Sequence, residues 1–254
     1  MRVARIALAL TLIFLAGRDL RGQQPTVAAQ RDPQALSLLS QCGAAMGADL
    51  ITDSYATGTV TESDLGAPVG TIISQTKGFK TRNDISTPNG QQSFVAGDGT
   101  GWLLRGGKKA NAPRAAVAYS RPEYVPALSC VIDVLRPNMS VRYLGLEKSG
   151  TSSVYHIEFN VPPSGEDNTE TLLSDFHVYL DQQTFLVVKT SILVFDPNAL
   201  ENHSVWETYY GNYRPMSGAL VAFHVENFLA GQKVNDIVFT DIQINHGVSD
   251  AIFN

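Results

Sequence analysis

The sequence predicts a mainly β protein with two helical segments, in which the strands form one strongly curved antiparallel sheet. Short runs rich in β-branched and aromatic residues recur along most of the chain, with Gly, Asn and Asp between them. Apolar and polar residues alternate within these runs. In residues 156–161, for example, Ile, Phe and Val share one face and His, Glu and Asn share the other. The runs follow each other too closely for helical crossovers, which favours antiparallel pairing.

The first element of the predicted domain is a helix that begins after Asp32 and ends before Gly47. Asp32 is suited to cap the first turn, and Pro33 to occupy it, because the first backbone N–H groups of a helix have no partner inside it. Leu39 and Met46 belong to one apolar stripe at helical spacing. Glycine at position 47 readily adopts the left-handed conformation that ends a helix.

Five strand segments follow this helix. The turn between the last two is Gly97-Asp98-Gly99, a hairpin signal, because glycine and aspartate tolerate the backbone conformations of tight turns. The glycine-rich run that starts there opens no helix, so we interpret it as a hairpin and not as a phosphate-binding loop. The five segments are 55–62, 69–76, 79–86, 92–96 and 101–104.

The second helical segment is predicted over Pro122–Arg136, after an open loop at residues 106–118. Leu128, Ile132 and Leu135 follow helical spacing along it. Strands fill most of the remaining chain, so the two helical segments must cover the apolar face of a large sheet. These later strands are 141–147, 154–161, 176–180, 185–195, 205–213, 220–228 and 234–245.

The N-terminal residues have the pattern of a cleavable export signal. Two arginines in the first five residues precede an uncharged apolar run, residues 6–16, that is too short to span a bilayer as a helix. We predict a signal peptide over residues 1–22, with its cleavage site left open, and a disordered polar lead-in over 23–31. A single domain then covers 32–254. The alternative is an uncleaved membrane anchor.

The predicted mature chain is acidic. The full sequence has 19 Lys and Arg and 24 Asp and Glu; without residues 1–22 these become 15 and 23, a net charge of −8. Such a surface repels phosphate backbones, so no nucleic-acid partner is expected. We expect a periplasmic or secreted protein without stable membrane insertion after signal removal. The oligomeric state is left open.

Cys42 and Cys130 are the two cysteines of the chain. An even number of cysteines in an exported protein indicates a disulfide bond, which would close a long loop and stabilise the fold by about 4–5 kcal/mol. The alternative is two buried free thiols, because sequence does not define the distance between them.

The sequence contains no recognisable catalytic or metal-binding constellation. No serine lies in the G-x-S-x-G frame of an activated nucleophile. The histidines are spread one per strand or loop, without the short spacing of a helical metal site, although convergence of three across neighbouring strands stays open. We therefore predict no enzyme activity, no metal and no cofactor. The histidines are His156, His177, His203, His224 and His246.

Aromatic residues in the predicted strands are the candidates for ligand binding. Large apolar pockets often form inside curved sheets and at barrel mouths, where aromatic side chains line them. The alternative is that these rings form an ordinary core. The ligand-binding candidates are Phe94, Trp102, Phe159, Phe176, Phe185, Tyr209 and Phe223.

The order of several motifs resembles the LolA/LolB-like periplasmic lipoprotein-sorting proteins and their relatives. The opening helix is followed by Asp-Ser-Tyr-Ala-Thr-Gly-Thr-Val at 53–60, and Gly-Asp-Gly-Thr-Gly-Trp occupies 97–102. The ending combines Trp-Glu-Thr-Tyr-Tyr at 206–210 with Asp-Ile-Gln-Ile-Asn at 241–245 and Ser-Asp-Ala-Ile-Phe at 249–253. The resemblance covers residues 32–254.

This resemblance implies a half-open antiparallel β-barrel lidded by helices. It also implies a non-catalytic carrier for an apolar ligand, with a lipid, an acyl chain or a lipidated protein as the partner. The alternative function is a structural or interaction protein with the same fold, a filled core and exposed edge strands that pair with a partner. The volume of the interior distinguishes the two hypotheses.

Overall fold

The computed structural model describes residues 28–62, 70–97, 99–150, 152–165, 167–196 and 199–254. The predicted signal peptide, residues 1–22, and most of the predicted lead-in lie outside the described residues. The sequence predicted a disordered lead-in over 23–31, but the end of this segment pairs with the sheet. Arg31 forms a parallel bridge with Val141, and Gln30 accepts a backbone hydrogen bond of 2.7 Å from Val141. This segment is ordered because it pairs with the backbone of an edge strand.

Thirteen strands among the described residues form one continuous sheet in which all neighbouring strands are antiparallel. Their order is β6-β5-β4-β3-β2-β1-β13-β12-β11-β10-β9-β8-β7, so β6 and β7 are the two edges. The first and last strands of the chain, β1 and β13, pair at the centre. The strands are β1 Asp53–Glu62, β2 Gly70–Lys77, β3 Lys80–Thr87, β4 Gly90–Gly97, β5 Thr100–Arg105, β6 Lys108–Asn111, β7 Ser140–Ser149, β8 Ser152–Asn160, β9 Phe176–Asp181, β10 Val187–Asp196, β11 Ala199–Met216, β12 Ala219–Leu229 and β13 Gln232–Ile244.

The sheet curls strongly without closing. Leu103 on β5 and Ile192 on β10 line the same cavity, although these strands are eight steps apart in the sheet order. In a flat sheet, eight strand spacings would separate them by about 38 Å. The protein is therefore a half-open antiparallel β-barrel, as the sequence predicted.

Helix α1, Pro33–Met46, packs into the concave side of the sheet. The Asp32 side chain accepts a hydrogen bond of 2.8 Å from the backbone N–H of Gln34, which confirms the predicted N-cap. Gly47 ends the helix at φ +65°. A Cβ atom there would also lie 2.7 Å from the carbonyl oxygen of Gly218, so this position requires glycine for two reasons.

The second helical segment differs from its prediction. Residues 122–136 form only the short helix α3, Pro126–Ser129, and a 3₁₀ turn at Asp133–Leu135. Pro126 occupies the first turn of α3, where the missing N–H does no harm, but it prevents a helix from continuing through from Pro122. Tyr124, Val125, Leu128 and Ile132 are buried, so the apolar content of this segment reflects packing and not helical periodicity.

Two short helices and one short strand lie in regions for which the sequence predicted no helix or strand. Residues 106–118 contain strand β6 and helix α2, Arg114–Val117. Helix α4, Thr169–Ser174, precedes β9. Both helices have at most six residues, a length at which hydrophobic periodicity carries little signal, and both are stabilised by packing against strands.

A disulfide bond joins Cys42 on α1 to Cys130 at the end of α3, with 6.2 Å between the two Cα atoms. Both cysteines are buried in the hydrophobic core, together with Leu39 of α1 and Leu128 of α3. The bond therefore connects the two helices that occupy the concave side of the sheet.

Candidate functional site

The candidate site is an interior cavity of about 670 Å³ with a mostly apolar wall. The wall comes from β4 and β5 on one side and from β9, β10 and β11 on the other. Helix α4 contributes Leu173 to it. The cavity therefore lies where the two arms of the curled sheet face each other.

The remaining wall of the cavity is the segment 113–129, which contains α2 and α3 and which we call the lid segment. Pro113, Ala115 and Tyr119 contribute apolar surface, while Ser120, Arg121 and Glu123 contribute polar atoms. Since the segment bridges the two arms of the sheet, its position decides whether the cavity is accessible.

A buried ion pair holds the lid segment in place. The guanidinium group of Arg121 pairs with the carboxylate of Asp133, and both side chains are at most 9 % exposed. Arg121 also donates hydrogen bonds to the backbone oxygens of Tyr119, at 2.8 Å, and Ser174, at 3.3 Å. Its guanidinium carbon lies 4.1 Å from the ring centre of Phe176. These contacts connect the lid segment to α4 and β9.

A second connection lies at the outer rim. Arg114 of α2 forms an ion pair with Glu170 of α4, and the Tyr119 hydroxyl donates a hydrogen bond of 2.7 Å to the same carboxylate. Burial, followed by this contact with Glu170, raises the pKa of Tyr119 to about 12. Tyr119 is therefore a neutral hydrogen-bond donor at physiological pH.

Glu123 is the acidic residue of the cavity wall, and it lies at the centre of a polar cluster. Trp206 Nε1 and the Thr208 hydroxyl each donate a hydrogen bond of 3.1 Å to Glu123 Oε1. The Tyr210 hydroxyl donates to the backbone oxygen of Glu123 at 2.8 Å and contacts the Thr190 hydroxyl at 3.0 Å. Burial raises the pKa of Glu123, and the hydrogen bonds from Trp206 and Thr208 offset this only in part.

Two of the seven aromatic candidates, Phe94 and Phe176, line the cavity. Phe159 is fully buried behind the wall, where its ring centre lies 5.8 Å from that of Phe176. Phe223 belongs to the main core, and the Arg214 guanidinium lies 4.2 Å from its ring centre.

The other three candidates lie away from the cavity wall. Lys109 Nζ lies 4.2 Å from the ring centre of Trp102, which is on the face of β5 opposite Leu103. Tyr209 alternates with the cavity-lining residues of β11 and packs against Phe228 instead. Phe185 does not belong to the predicted strand 185–195: it lies in the turn before β10, at φ +59°.

Sequence reasoning missed most of the polar wall of the cavity. Trp206, Thr208 and Tyr210 sit at alternate positions of β11, and this alternation was the signal that could have placed them together. Glu123 had no such signal, because it lies in a segment that was predicted to be helical.

The outer face of the sheet carries histidine and carboxylate groups that the sequence placed far apart. His156 Nε2 and His177 Nδ1 are 2.7 Å apart, and Glu158 and Asp175 lie beside His177. A second group combines His224, Glu226 and Asp236. Two histidines therefore meet across neighbouring strands, whereas the convergence of three that the sequence left open is not seen among the described residues.

The second outer group has an internal counter-charge. The ammonium group of Lys233 contacts the carboxylates of Glu226 and Asp236, the latter at 2.6 Å. Burial raises the pKa of Asp236, but hydrogen bonds from Lys233 and His224 outweigh it and lower the pKa overall. The Lys233 ammonium thus offsets one of the two carboxylate charges.

Three solved structures that match this chain show which fold it has. A LolA superfamily protein from Nitrosomonas europaea has 13% identity, covers 87% of this chain and 97% of its own, and gives a TM-score of 0.56. A putative outer membrane lipoprotein-sorting protein domain from Vibrio parahaemolyticus has 13% identity, coverages of 87% and 96%, and the same TM-score of 0.56. A DUF1329 family protein from Desulfovibrio piger has 13% identity, coverages of 87% and 96%, and a TM-score of 0.53.

At this identity, the likeness establishes the fold, and the chain has the LolA-like fold that its sequence resembles. No protein-family model matches the sequence, and no curated protein sequence matches it. Among the described residues, no helix has both the length and the apolar character needed to cross a membrane.

Proposed function

We propose that this chain is an exported, non-catalytic carrier that binds a lipid, an acyl chain or a lipidated protein segment in its cavity. The observation that supports this most directly is the cavity, whose volume of about 670 Å³ lies within the range of small-molecule sites. The LolA-like fold and the mostly apolar wall agree with such a ligand.

Burial of an acyl chain supplies enough free energy for this role. Each CH₂ group transferred from water to an apolar site contributes about 0.8 kcal/mol, so a chain of twelve contributes about 10 kcal/mol before costs. Ordering the ligand and moving the lid segment reduce this value. A carrier requires such a balance, because its ligand must also be released.

The composition of the wall supports binding without catalysis. Among the described residues, neither histidine nor cysteine lines the cavity. The Thr208 hydroxyl donates to the Glu123 carboxylate, and the Tyr210 hydroxyl donates to the backbone oxygen of Glu123. Among the described wall residues, no histidine or lysine stands beside these hydroxyl groups as the base of an activated nucleophile.

Two observations support export. The N-terminal 22 residues have the pattern of a signal peptide, and Cys42 and Cys130 form a disulfide bond, which persists in oxidising compartments. The periplasm or the cell exterior is therefore the proposed location.

The alternative function, an interaction protein with a filled core, has less support. The cavity is not filled by protein side chains, and the edge strands are protected. Strand β6 presents Lys108 and Lys109, which disfavour further strand pairing, and Arg31 already pairs with β7.

A titration of delipidated protein with a neutral hydrophobic dye tests the proposal. We expect saturable binding at micromolar protein. Ile192→Trp places extra volume in the cavity and is expected to weaken dye binding at least ten-fold. Val205→Trp, on the neighbouring strand at a position 44% exposed outside the cavity, is the matched control and is expected to bind like wild type.

A flat titration of the wild-type protein would contradict the proposal, and so would equal weakening by both tryptophan variants. Native mass spectrometry of protein purified from its own compartment then identifies the bound molecule.

A further inference from the structure

The cavity wall contains one carboxyl group without a counter-charge. Glu123 has neither lysine nor arginine as a partner among the described residues, because the nearby Arg121 pairs with Asp133. All hydrogen bonds that the structure describes for its side chain reach Oε1, from Trp206 and Thr208. Oε2 has no described donor. A polar oxygen in an apolar cavity costs free energy unless a donor reaches it.

We propose that the apolar ligand carries a neutral hydrogen-bond-donating end group, such as the hydroxyl of a long-chain alcohol, which donates to Glu123 Oε2. This inference rests on the proposed function and specifies the ligand class of the same cavity.

The polar side chains around Glu123 define where this end group lies. Trp206, Thr208 and Tyr210 occupy alternate positions of β11, and Thr190 lies beside Tyr210 on β10. The rest of the wall is mostly apolar, with Phe94 and Leu103 on the opposite arm of the sheet. The cavity is therefore amphipathic, which suits a molecule with a long apolar body and one small polar end.

The same arrangement disfavours an anionic end group. A carboxylate or phosphate next to Glu123 would place two negative charges in a desolvated site, or would require them to share one proton. Arg105, the other cationic residue of the wall, is exposed and already donates hydrogen bonds to Gln92. An uncharged apolar molecule without a polar end would leave Oε2 without a donor.

The test compares three ligands with equal chain length by displacement of the neutral dye at pH 7: dodecan-1-ol, its methyl ether and dodecanoate. The ether lacks only the donor and is the more hydrophobic of the first two, so transfer from water alone would favour it. We expect the alcohol to bind about ten-fold more tightly than the ether, because only the alcohol satisfies Oε2.

Variants separate this effect from ligand solubility. Glu123→Gln keeps the side-chain shape, cannot ionise and presents N–H donors that serve the oxygen of the alcohol and that of the ether alike. The preference for the alcohol over the ether is therefore expected to disappear, and the preference for the alcohol over dodecanoate is expected to fall at least ten-fold. Glu207→Gln changes the net charge equally on the outer face of β11, where Glu207 pairs with Lys189, and should preserve the wild-type preference.

Two results would overturn the inference, and they differ from failure of the proposed function. Equal affinities for the alcohol and the ether in wild type would exclude donation to Glu123 and leave the carrier function standing. An unchanged preference for the alcohol over the ether in Glu123→Gln would also exclude donation to Glu123 and leave the carrier function standing. Absence of binding by the dye and by all three ligands would contradict the carrier function and this inference together. The wild-type comparison decides the question even where Glu123→Gln does not fold.

Discussion

Glu123 affects both the polarity of the cavity wall and the stability of the fold. Burial raises its pKa from the ordinary value of 4.5, so the folded protein retains a proton that the unfolded chain has lost. The contribution of Glu123 to stability is fully present below pH 4.5 and is lost as the pH rises through its folded-state pKa. The wild-type carboxyl group therefore destabilises the fold at neutral pH.

We predict that Glu123→Gln raises the free energy of unfolding at pH 7 relative to wild type and removes part of the decline in stability above pH 4.5. The amide retains an acceptor for Trp206 and Thr208 but is not ionised. Urea unfolding at a series of pH values measures this, with Glu207→Gln as the surface control. Parallel pH profiles for wild type and Glu123→Gln would contradict the prediction.

At the scale of single residues, the sequence predicts roles that depend on neighbouring residues better than roles that depend on contacts between distant residues. Asp32 and Gly47 were predicted correctly because capping depends on residues within one turn. Glu123 contacts Trp206, which is 83 positions away, and such a pair depends on the curl of the sheet. Of the aromatic candidates, only Phe94 and Phe176 line the cavity, because aromatic content alone does not distinguish the two faces of a strand.

At the scale of elements, α1 and the lid segment act as one unit because the disulfide joins them. Cys42 lies on the buried face of α1, and Cys130 follows α3 directly. The loop that the bond closes spans 88 residues and includes β1 to β6. The bond therefore restricts the unfolded chain and also the position of α3 over the sheet.

We predict that Cys42→Ala combined with Cys130→Ala lowers the free energy of unfolding by about 4–5 kcal/mol, the value expected for a loop of this length. The variant is also expected to release bound dye faster, because the lid segment loses its covalent connection to α1. Guanidinium unfolding and stopped-flow dye release measure the two effects. Wild-type protein reduced under native conditions is the control and should release dye at the rate of the variant. Unchanged dye release would show that the bond serves stability alone.

The elements that sequence reasoning missed are the short ones near the cavity. Helices α2 and α4 have four and six residues, too few for an apolar stripe to repeat. The lid segment was predicted partly as an open loop and partly as one helix, since its apolar spacing fits a helix but Pro126 interrupts it. The long α1 and the hairpins carry enough local signal to be predicted.

At the scale of the whole molecule, the cavity exists because the sheet curls without closing. The two arms that face each other, β4–β5 and β9–β11, are far apart in the sheet order and line the same cavity only through this curvature. The alternation of apolar and polar residues predicted one buried face. The sheet order was not predictable from it, because β1 and β13 pair across nearly the whole chain.

A ligand that occupies this cavity must therefore contact both arms and the lid segment at once. We predict that hydrogen–deuterium exchange in the presence of dodecan-1-ol slows in residues 113–129, in β5 and in β10, with little change in β1 and β13. A ligand at one hundred times its dissociation constant stabilises the folded state by about 2.7 kcal/mol, enough to suppress local opening of the segments it bridges. Ile192→Trp, with the cavity occupied by the indole ring, is the control in which the ligand should produce no protection. Protection confined to one arm, or spread evenly over the sheet, would mean that the ligand binds elsewhere. The curvature of the sheet would then enclose the hydrophobic core without forming a ligand site.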